Sequence, residues 1–390
     1  MKISMTRDVK KILSEFYKNG KKAYLVGGAV RDSLLGRDVV DFDICSDALP
    51  SETASVFGEE NVLFTGEKYG TVTLFYNDKG YEITTFRSDG VYGDGRHPES
   101  VTFGKSLAED LSRRDFTVNA MAAGPGGEII DYHGGLEDLD KRVIRAVGNP
   151  EKRFSEDALR IIRAIRFSQA LGFDIEAGTF SAMKAEKERL RLVSKERIGA
   201  EILKMVRFPF MPHEHVEIIS EAFDGYVFGD TVKSLGGVSF SRKDFYFAAL
   251  FADTPKEAAC GFLSSMALGK DVAEMSAFIA DNAIKSFDED GAAELLVGNG
   301  RDKVKSLAAF KEEAFSDYNL SHTIDRFERE KRCFSRAELA LTGGEIKNLG
   351  FTGKEIGEVS DRLVRLCAGG KLKNEKSSLA AEAEKYRKKI

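Results

Sequence analysis

The apolar pattern of this chain changes character once, and that change limits what it can fold into. Up to about residue 147, short runs of β-forming residues alternate with glycine-rich turns. Beyond about 150, apolar residues recur at helical spacing with few β-branched clusters. The class this implies is α+β, a sheet-bearing first part followed by an all-helical one. At 390 residues the chain is too long for one ordinary domain. Divisions are expected at 1–147, 148–210, 211–330 and 331–390. No apolar run approaches the roughly 18 residues that span a bilayer. The opening residues lead into a charged amphipathic stretch with neither the apolar centre nor the cleavage site of a signal peptide, so a cytoplasmic protein with no membrane association is expected.

Cys45, Cys260, Cys333 and Cys367 are far apart and lack metal-type spacing, which points to reduced structural thiols. The net charge of −5 gives no global sign of nucleic-acid binding, so any RNA surface must be local.

Within the first part, residues 22–26 read as a strand, Gly27-Gly28 as a turn, 29–35 as a helix and 39–44 as a second strand. Runs 71–76 and 81–87, joined by Asn77-Asp78-Lys79-Gly80, read as a hairpin, which makes the sheet mixed or antiparallel. Residues 88–98, SDGVYGDGRHP, are packed with Gly, Asp and Pro and read as a mobile loop.

Asp41-Phe42-Asp43 carries the strongest chemical signal. On a strand, residues two apart share a face, so two carboxylates would stand side by side. Their repulsion is relieved by a cation, and hard oxygen donors suit Mg²⁺, as metal-assisted nucleotidyl transfer requires. Glu82, on a neighbouring run, could add a third carboxylate. For an isolated Asp-x-Asp, an exposed strand face or a turn is the commoner explanation; the surrounding residues favour the metal site. Upstream, Gly27 and Gly28 open a helix whose free N–H groups suit phosphate, with Arg31 in its first turn. A purely structural turn is the alternative.

A helix from Glu156 would place Asp157 and Arg160 on one face, with Arg163 nearby, while Ala158, Ile161, Ile162 and Ile165 pack on the other. Cytosine and adenine both present an amino donor beside a ring-nitrogen acceptor, whereas uracil and guanine present a carbonyl beside an N–H. A carboxylate with a guanidinium therefore fits the first two bases and mismatches the others. Alternatively, Glu156 and Asp157 are first-turn acids after an N-cap Ser155, paired with Arg160.

The ordered segments LVGGAVRDSLLG, DFDI, RRDFTVNAMA and EDALRIIRAIRF resemble the bacterial class II tRNA nucleotidyltransferases, the CCA-adding enzymes of the poly(A) polymerase family. The resemblance is strong over about 20–205, fades through the middle and returns weakly near 338–386. It implies a seahorse-like molecule: a catalytic head over 1–147, a helical neck with a base-recognition helix over 148–210, a body over 211–330 and a tRNA-binding tail over 331–390. It further implies CTP and ATP as substrates, the tRNA acceptor arm and 3′ end as partner, and Mg²⁺ held by Asp41 and Asp43 with Glu82 assisting. Arg113, Arg114, Asp115 and Asn119 would hold the nucleotide's sugar and phosphates, alongside Arg160, Arg163 and Arg166.

By the same resemblance, CCA-adding members carry a flexible segment before RRDFT that helps reshape the pocket for ATP, and CC-adding members have it shortened. Here residues 88–103, with Asp94 and Arg96, are at full length, which favours complete CCA addition. CC-only or A-only addition, poly(A) synthesis and a catalytically inactive RNA-binding protein remain alternatives. A small-molecule nucleotidyltransferase would leave the helical half unexplained. The five histidines form no HD doublet, so no phosphohydrolase activity is expected. Lys347, Lys354, Lys371, Lys373 and Lys376 are the residues expected to touch the acceptor arm.

Overall fold

The computed structural model describes residues 1–89, 101–104, 106–223, 234–252 and 254–388. They form two compact units, Met1–Met205 with Glu217–Gly225, and Val206–Val216 with Tyr226–Ile390. Residues 148–205, read from sequence as part of a separate neck, thus pack within the same unit as the sheet.

The first unit runs α1 (Arg7–Lys18), β1 (Ala23–Val26), α2 (Gly28–Leu34), β2 (Asp43–Ser46), α3 (Pro50–Phe57), β3 (Val62–Gly66), β4 (Thr71–Tyr76), β5 (Lys79–Thr85), β6 (Arg87–Asp89), β7 (Val101–Phe103), α4 (Leu107–Ser112), β8 (Met121–Ala123), β9 (Ile129–Asp131) and α5 (Gly135–Lys141). Helices α6 (Pro150–Glu156), α7 (Leu159–Leu171), α8 (Ala177–Glu186) and α9 (Lys195–Leu203) follow. Seven strands form one sheet in the order β3-β4-β5-β2-β1-β8-β9. It is mixed: β2 and β5 run parallel, and the other neighbours are antiparallel.

Helix α1 shows how sequence becomes layer. Thr6 caps it by accepting from the Val9 N–H at 3.2 Å, and Val9, Ile12, Leu13 and Phe16 recur at helical spacing as one buried stripe. That stripe joins Leu25, Ile44, Val72, Leu74, Tyr81 and Ile83 in the main core, which closes one face of the sheet. Among the described residues, the opposite face is closed only in part. Leu107 and Leu111 of α4 pack there with Val26, Cys45 and Ala122 over β1, β2 and β8.

Two expected elements differ from what is found. The second strand was read over 39–44, yet β2 begins only at Asp43. Gly27 ends β1 by turning to φ 69°, ψ −134°, so residues before Asp43 lose the partner that Val26 gives Asp43. Asp41 therefore precedes the strand, and the alternation argument for the Asp41/Asp43 pair does not apply. The helix expected from Glu156 is also broken. Asp157 ends α6 in an extended conformation, φ −152° and ψ 103°, and its Oδ1 accepts the Leu159 N–H at 3.1 Å to start α7. The packing stripe survives, with Ala158, Ile161, Ile162 and Ile165 all buried.

The second unit is helical. Its core gathers aromatic rings around Lys243–Leu250, Lys270–Asn282 and Arg301–Phe315, with Phe240 and Phe310 stacked 5.7 Å apart. A smaller core about Ile346, Phe351, Val359 and Leu363 consolidates the C-terminal helices Gly343–Asn348, Lys354–Ala368 and Lys376–Arg387. All four cysteines are free thiols. Among the described residues, no helix is long and apolar enough to cross a membrane.

Candidate active site

The parallel pairing of β2 with β5 sets Asp43 directly opposite Glu82, and the antiparallel pairing of β2 with β1 sets Asp43 opposite Val26. Two carboxylates thus meet on adjacent strands, just before Gly27 turns the chain into α2. They form the acidic wall of a cavity of about 340 Å³. Facing them are Arg87, Arg113, Arg114, Arg160 and Arg163, with Asp115 and Asp157 between.

Solvent reaches Asp43, but the concave wall raises its carboxyl above the ordinary carboxylate range. Arg114 opposes the rise and Asp41 adds to it. Glu82 is raised by burial and then by Asp43. Each carboxyl is thus raised first by its enclosure and then by an acidic neighbour. Asp41 is exposed and is not among the residues lining the cavity. Among the described residues, no three His, Cys, Asp or Glu side chains converge to hold a metal ion by themselves.

The basic wall is braced from behind. Asp110, with no solvent exposure, accepts from Arg113 Nη2 at 2.7 Å and from Arg114 Nη2 at 3.2 Å. Burial pushes the Asp110 carboxyl up, but the two guanidinium groups overcome this and hold it below the usual range. Asp115 does the same for Arg163, accepting from its Nε at 2.9 Å. Burial again opposes, and Arg163 then lowers that carboxyl. Arg160 donates to Glu156 at 2.8 Å, to the Arg153 carbonyl at 3.1 Å and to the Arg113 carbonyl at 3.1 Å. Asp157 Oδ2 accepts from Arg197 at 2.9 Å. The base-reading pair suggested by sequence is thus brought to one cavity, each member fixed by its own partner.

Several expected residues lie behind this surface. Arg31 is buried, donating to Asn119 Oδ1 at 2.5 Å and to both Asp32 oxygens at 2.9 Å. Its charge is therefore spent bracing α2, and Asn119 also reaches Asp115, at 3.3 Å. Neither lines the cavity. Arg166 turns away to Glu201, 2.6 Å off, with its guanidinium 3.9 Å from the Phe167 ring centre. Gly28 sits under Arg31. Asp94 and Arg96 lie outside the described residues.

Asp110, Arg197, Glu201 and Arg87 were missed by sequence reasoning. For Asp110 a signal existed, since it precedes Arg113 and Arg114 by the three- and four-residue steps of one helix face.

Gly27 is the tight point. A Cβ there would stand 3.1 Å from Arg114 Nη1 and 3.8 Å from Asp43 Oδ2, in a backbone region that L-residues avoid. Gly27→Ala is therefore expected to cost about 1–3 kcal/mol of stability and to displace Arg114 from beside Asp43. Thermal melts check this, and a wild-type melting temperature would refute it.

Two family profiles match the chain. One, described as Poly A polymerase head domain, covers residues 23–145; the other, Probable RNA and SrmB- binding site of polymerase A, covers 172–210. The CCA-adding enzyme of Streptococcus thermophilus is 34% identical over 389 residues, which takes in 95% of this chain and 94% of that one. The chain belongs to the CCA-adding enzyme family.

Within this family, the CCA-adding enzyme of Leuconostoc mesenteroides is 49% identical over 199 residues, so that this chain is matched to about half of that relative's length (49%). The crystal structure of the Bacillus stearothermophilus CCA-adding enzyme in complex with CTP superposes with a TM-score of 0.72 at 30% identity, over 99% of both chains. The Thermotoga maritima CCA-adding enzyme complexed with tRNA_CCA gives 0.66 at 20% identity, a likeness of fold alone. Family membership and the α+β class read from the sequence are both borne out.

Proposed function

We propose that this chain adds C, C and A in turn to the 3′ end of tRNA without a template, consuming CTP and ATP. The observation that carries the proposal is the parallel β2–β5 register, which sets Asp43 and Glu82 in one small cavity opposite arginines anchored by Asp110 and Asp115. In the reaction the primer's terminal 3′-oxygen bonds to the α-phosphorus, the bond from that phosphorus to the bridging oxygen breaks, and pyrophosphate leaves with that electron pair.

Mg²⁺ fits the acidic wall. Its oxygen donors are hard, their carboxyls are raised by burial and by a neighbouring negative charge, which a cation would relieve, and Mg²⁺ ordinarily takes only one or two protein carboxylates and completes its shell with water and substrate phosphates. Asp43 would hold it with Asp41, and Glu82 would assist. Bound there, it would acidify the primer hydroxyl and neutralise the triphosphate.

The chain's own groups supply the rest. Arg113 and Arg114 offer charge-assisted donors to triphosphate oxygens, held in place by Asp110. Arg160 spends its Nη1 and one Nη2 bond on Glu156 and on carbonyls, leaving Nε for a ligand, while both Asp157 oxygens keep acceptor capacity. A fixed acceptor beside a fixed donor suits cytosine and adenine and leaves uracil or guanine with unpaired buried groups. Full CCA rather than CC-only addition is favoured by the length of segment 88–103.

The helical segments 211–330 and 331–390 would hold the acceptor arm through phosphates and 2′-hydroxyls. Lys347, Lys354, Lys371 and Lys373 are the candidate contacts. Lys376 is ion-paired to Glu345 at 2.7 Å and is the weakest of the set. On this reading the reaction takes place in the cytoplasm, where CTP, ATP and tRNA are the substrates.

The test is incubation with Mg²⁺ and tRNA transcripts ending before CCA, after C and after CC, supplying CTP and ATP separately and together. Two C additions followed by one A, lost in Asp41→Ala, are expected. Arrest after CC would establish the CC-adding alternative, and no incorporation on any primer would leave an RNA-binding protein.

A further inference from the structure

One half of the sheet's second face has no cover among the described residues. On β4 and β5, Val72, Leu74, Tyr81 and Ile83 point into the core, so Thr71, Thr73 and Phe75, with Gly80, Glu82 and Thr84, fall on the other face. On β3, Leu63 pairs with Thr73 and joins them. Helix α4 closes this face over β1, β2 and β8 only. Among the described residues, what remains open is a shelf that starts at the acidic pair. Asp43, Glu82, Thr73 and Leu63 are register neighbours on four successive strands, a row of about 14 Å at the usual strand spacing.

The shelf has a particular chemistry. Phe75 is 50% exposed and Leu63 54%. Phe75 lies opposite Gly80, whose missing side chain leaves bare backbone beside the ring. Paired hydroxyls, Thr65 with Thr73 at 3.3 Å and Thr71 with Thr84 at 3.1 Å, line the strip. Thr71 and Thr84 also line the cavity, so shelf and cavity are one continuous surface.

We propose that this shelf receives the single-stranded 3′ end of the primer RNA, with Phe75 stacking on a base just upstream of the terminal nucleotide. The inference rests on the nucleotidyl-transfer reading of the cavity. A primer hydroxyl must arrive beside Asp43 and Glu82, while the arginines and the Asp157/Arg160 pair are occupied by the incoming nucleotide, which leaves the side of the open strands. Exposed rings on an open sheet, with hydroxyls that can meet sugar and base edges, are a recurrent way of holding unpaired nucleotides.

The chain contains no tryptophan, so Phe75→Trp places a unique fluorophore on the shelf. Phe75→Ala is expected to raise the KM for a tRNA primer lacking CCA by about tenfold, the loss typical of removing one base–aromatic stack. The KM for CTP should stay within twofold, and Phe75→Trp should retain the wild-type primer KM. The fluorescence of Phe75→Trp should be quenched by a short single-stranded RNA ending in ACC. An unchanged primer KM in Phe75→Ala, or no quenching, overturns the proposal. So does a Phe75-dependent dimer in sedimentation with primer KM unaltered, which would assign the face to a second copy of the chain. If wild-type protein extends no primer at all, the transfer reading fails, and quenching by the short RNA still decides the shelf on its own.

Discussion

Asp43→Asn is expected to lower kcat for CTP addition by about a thousandfold or more, because under the proposed reaction the carboxylate that the β2 register sets against Glu82 would contribute several kcal/mol of transition-state charge stabilisation through the ion it would hold. The fold should not suffer. In the absence of divalent cations, burial and then Asp41 outweigh Arg114 and keep the Asp43 carboxyl raised. A raised carboxyl binds its proton more tightly in the folded chain than in the unfolded one, so folded stability declines as pH rises through the window between the two values. Asparagine removes that decline. In EDTA the variant should therefore melt at the wild-type temperature in acid and above it at neutral pH. Single-turnover rates and melts at both pH values check the two halves separately. A rate within tenfold of wild type would remove Asp43 from the chemistry, whereas a variant that melts lower at neutral pH would show that the carboxylate is structural.

What the sequence disclosed depended on how local each interaction was. The β4–β5 hairpin was legible because its turn residues are adjacent, although the turn proved tighter than expected. Only Asn77 and Asp78 form it, at φ 49° and 60°, values that Asn and Asp tolerate better than most side chains. The Asp43–Glu82 register was not legible as geometry, because a crossover through α3, β3 and β4 separates the two strands. The break at Asp157 was hidden in a run of good helix formers, where a single side-chain bond to the Leu159 N–H redirects the backbone. Arg31 read as a phosphate ligand because only part of what holds it is local: Asp32 is its neighbour in the chain, but Asn119, which completes its burial, lies far along the sequence. Arg166 was grouped with Arg160 and Arg163 by its step of three. On a helix of 3.6 residues per turn each such step rotates the side chain by about 60° from the previous one. Two steps carry Arg166 from the cavity to Glu201.

Asp110→Asn is the substitution expected to cost most in stability. The carboxylate is fully enclosed and serves two guanidinium groups, which are themselves mostly shielded, so the amide removes the negative charge that both share in a restricted space. Breaking a buried pair from one side costs about 3–5 kcal/mol. The folded Asp110 carboxyl is held below its ordinary value by the two arginines in spite of burial. Its contribution is thus fully present above the unfolded carboxylate range, near pH 4, and fades as pH falls through the lower folded value. The gap in melting temperature between wild type and Asp110→Asn should be wide at pH 7 and narrow below about pH 4. Under the proposed role of Arg113 and Arg114 as triphosphate ligands, the same substitution should raise the KM for CTP and ATP alike, because Asp110 does not line the cavity and reaches it only through those arginines. A loss confined to one nucleotide would mean that Asp110 shapes the base pocket instead. A variant with normal KM for both but a lowered melting temperature would confine Asp110 to folding and return Arg113 and Arg114 to the status of surface charge.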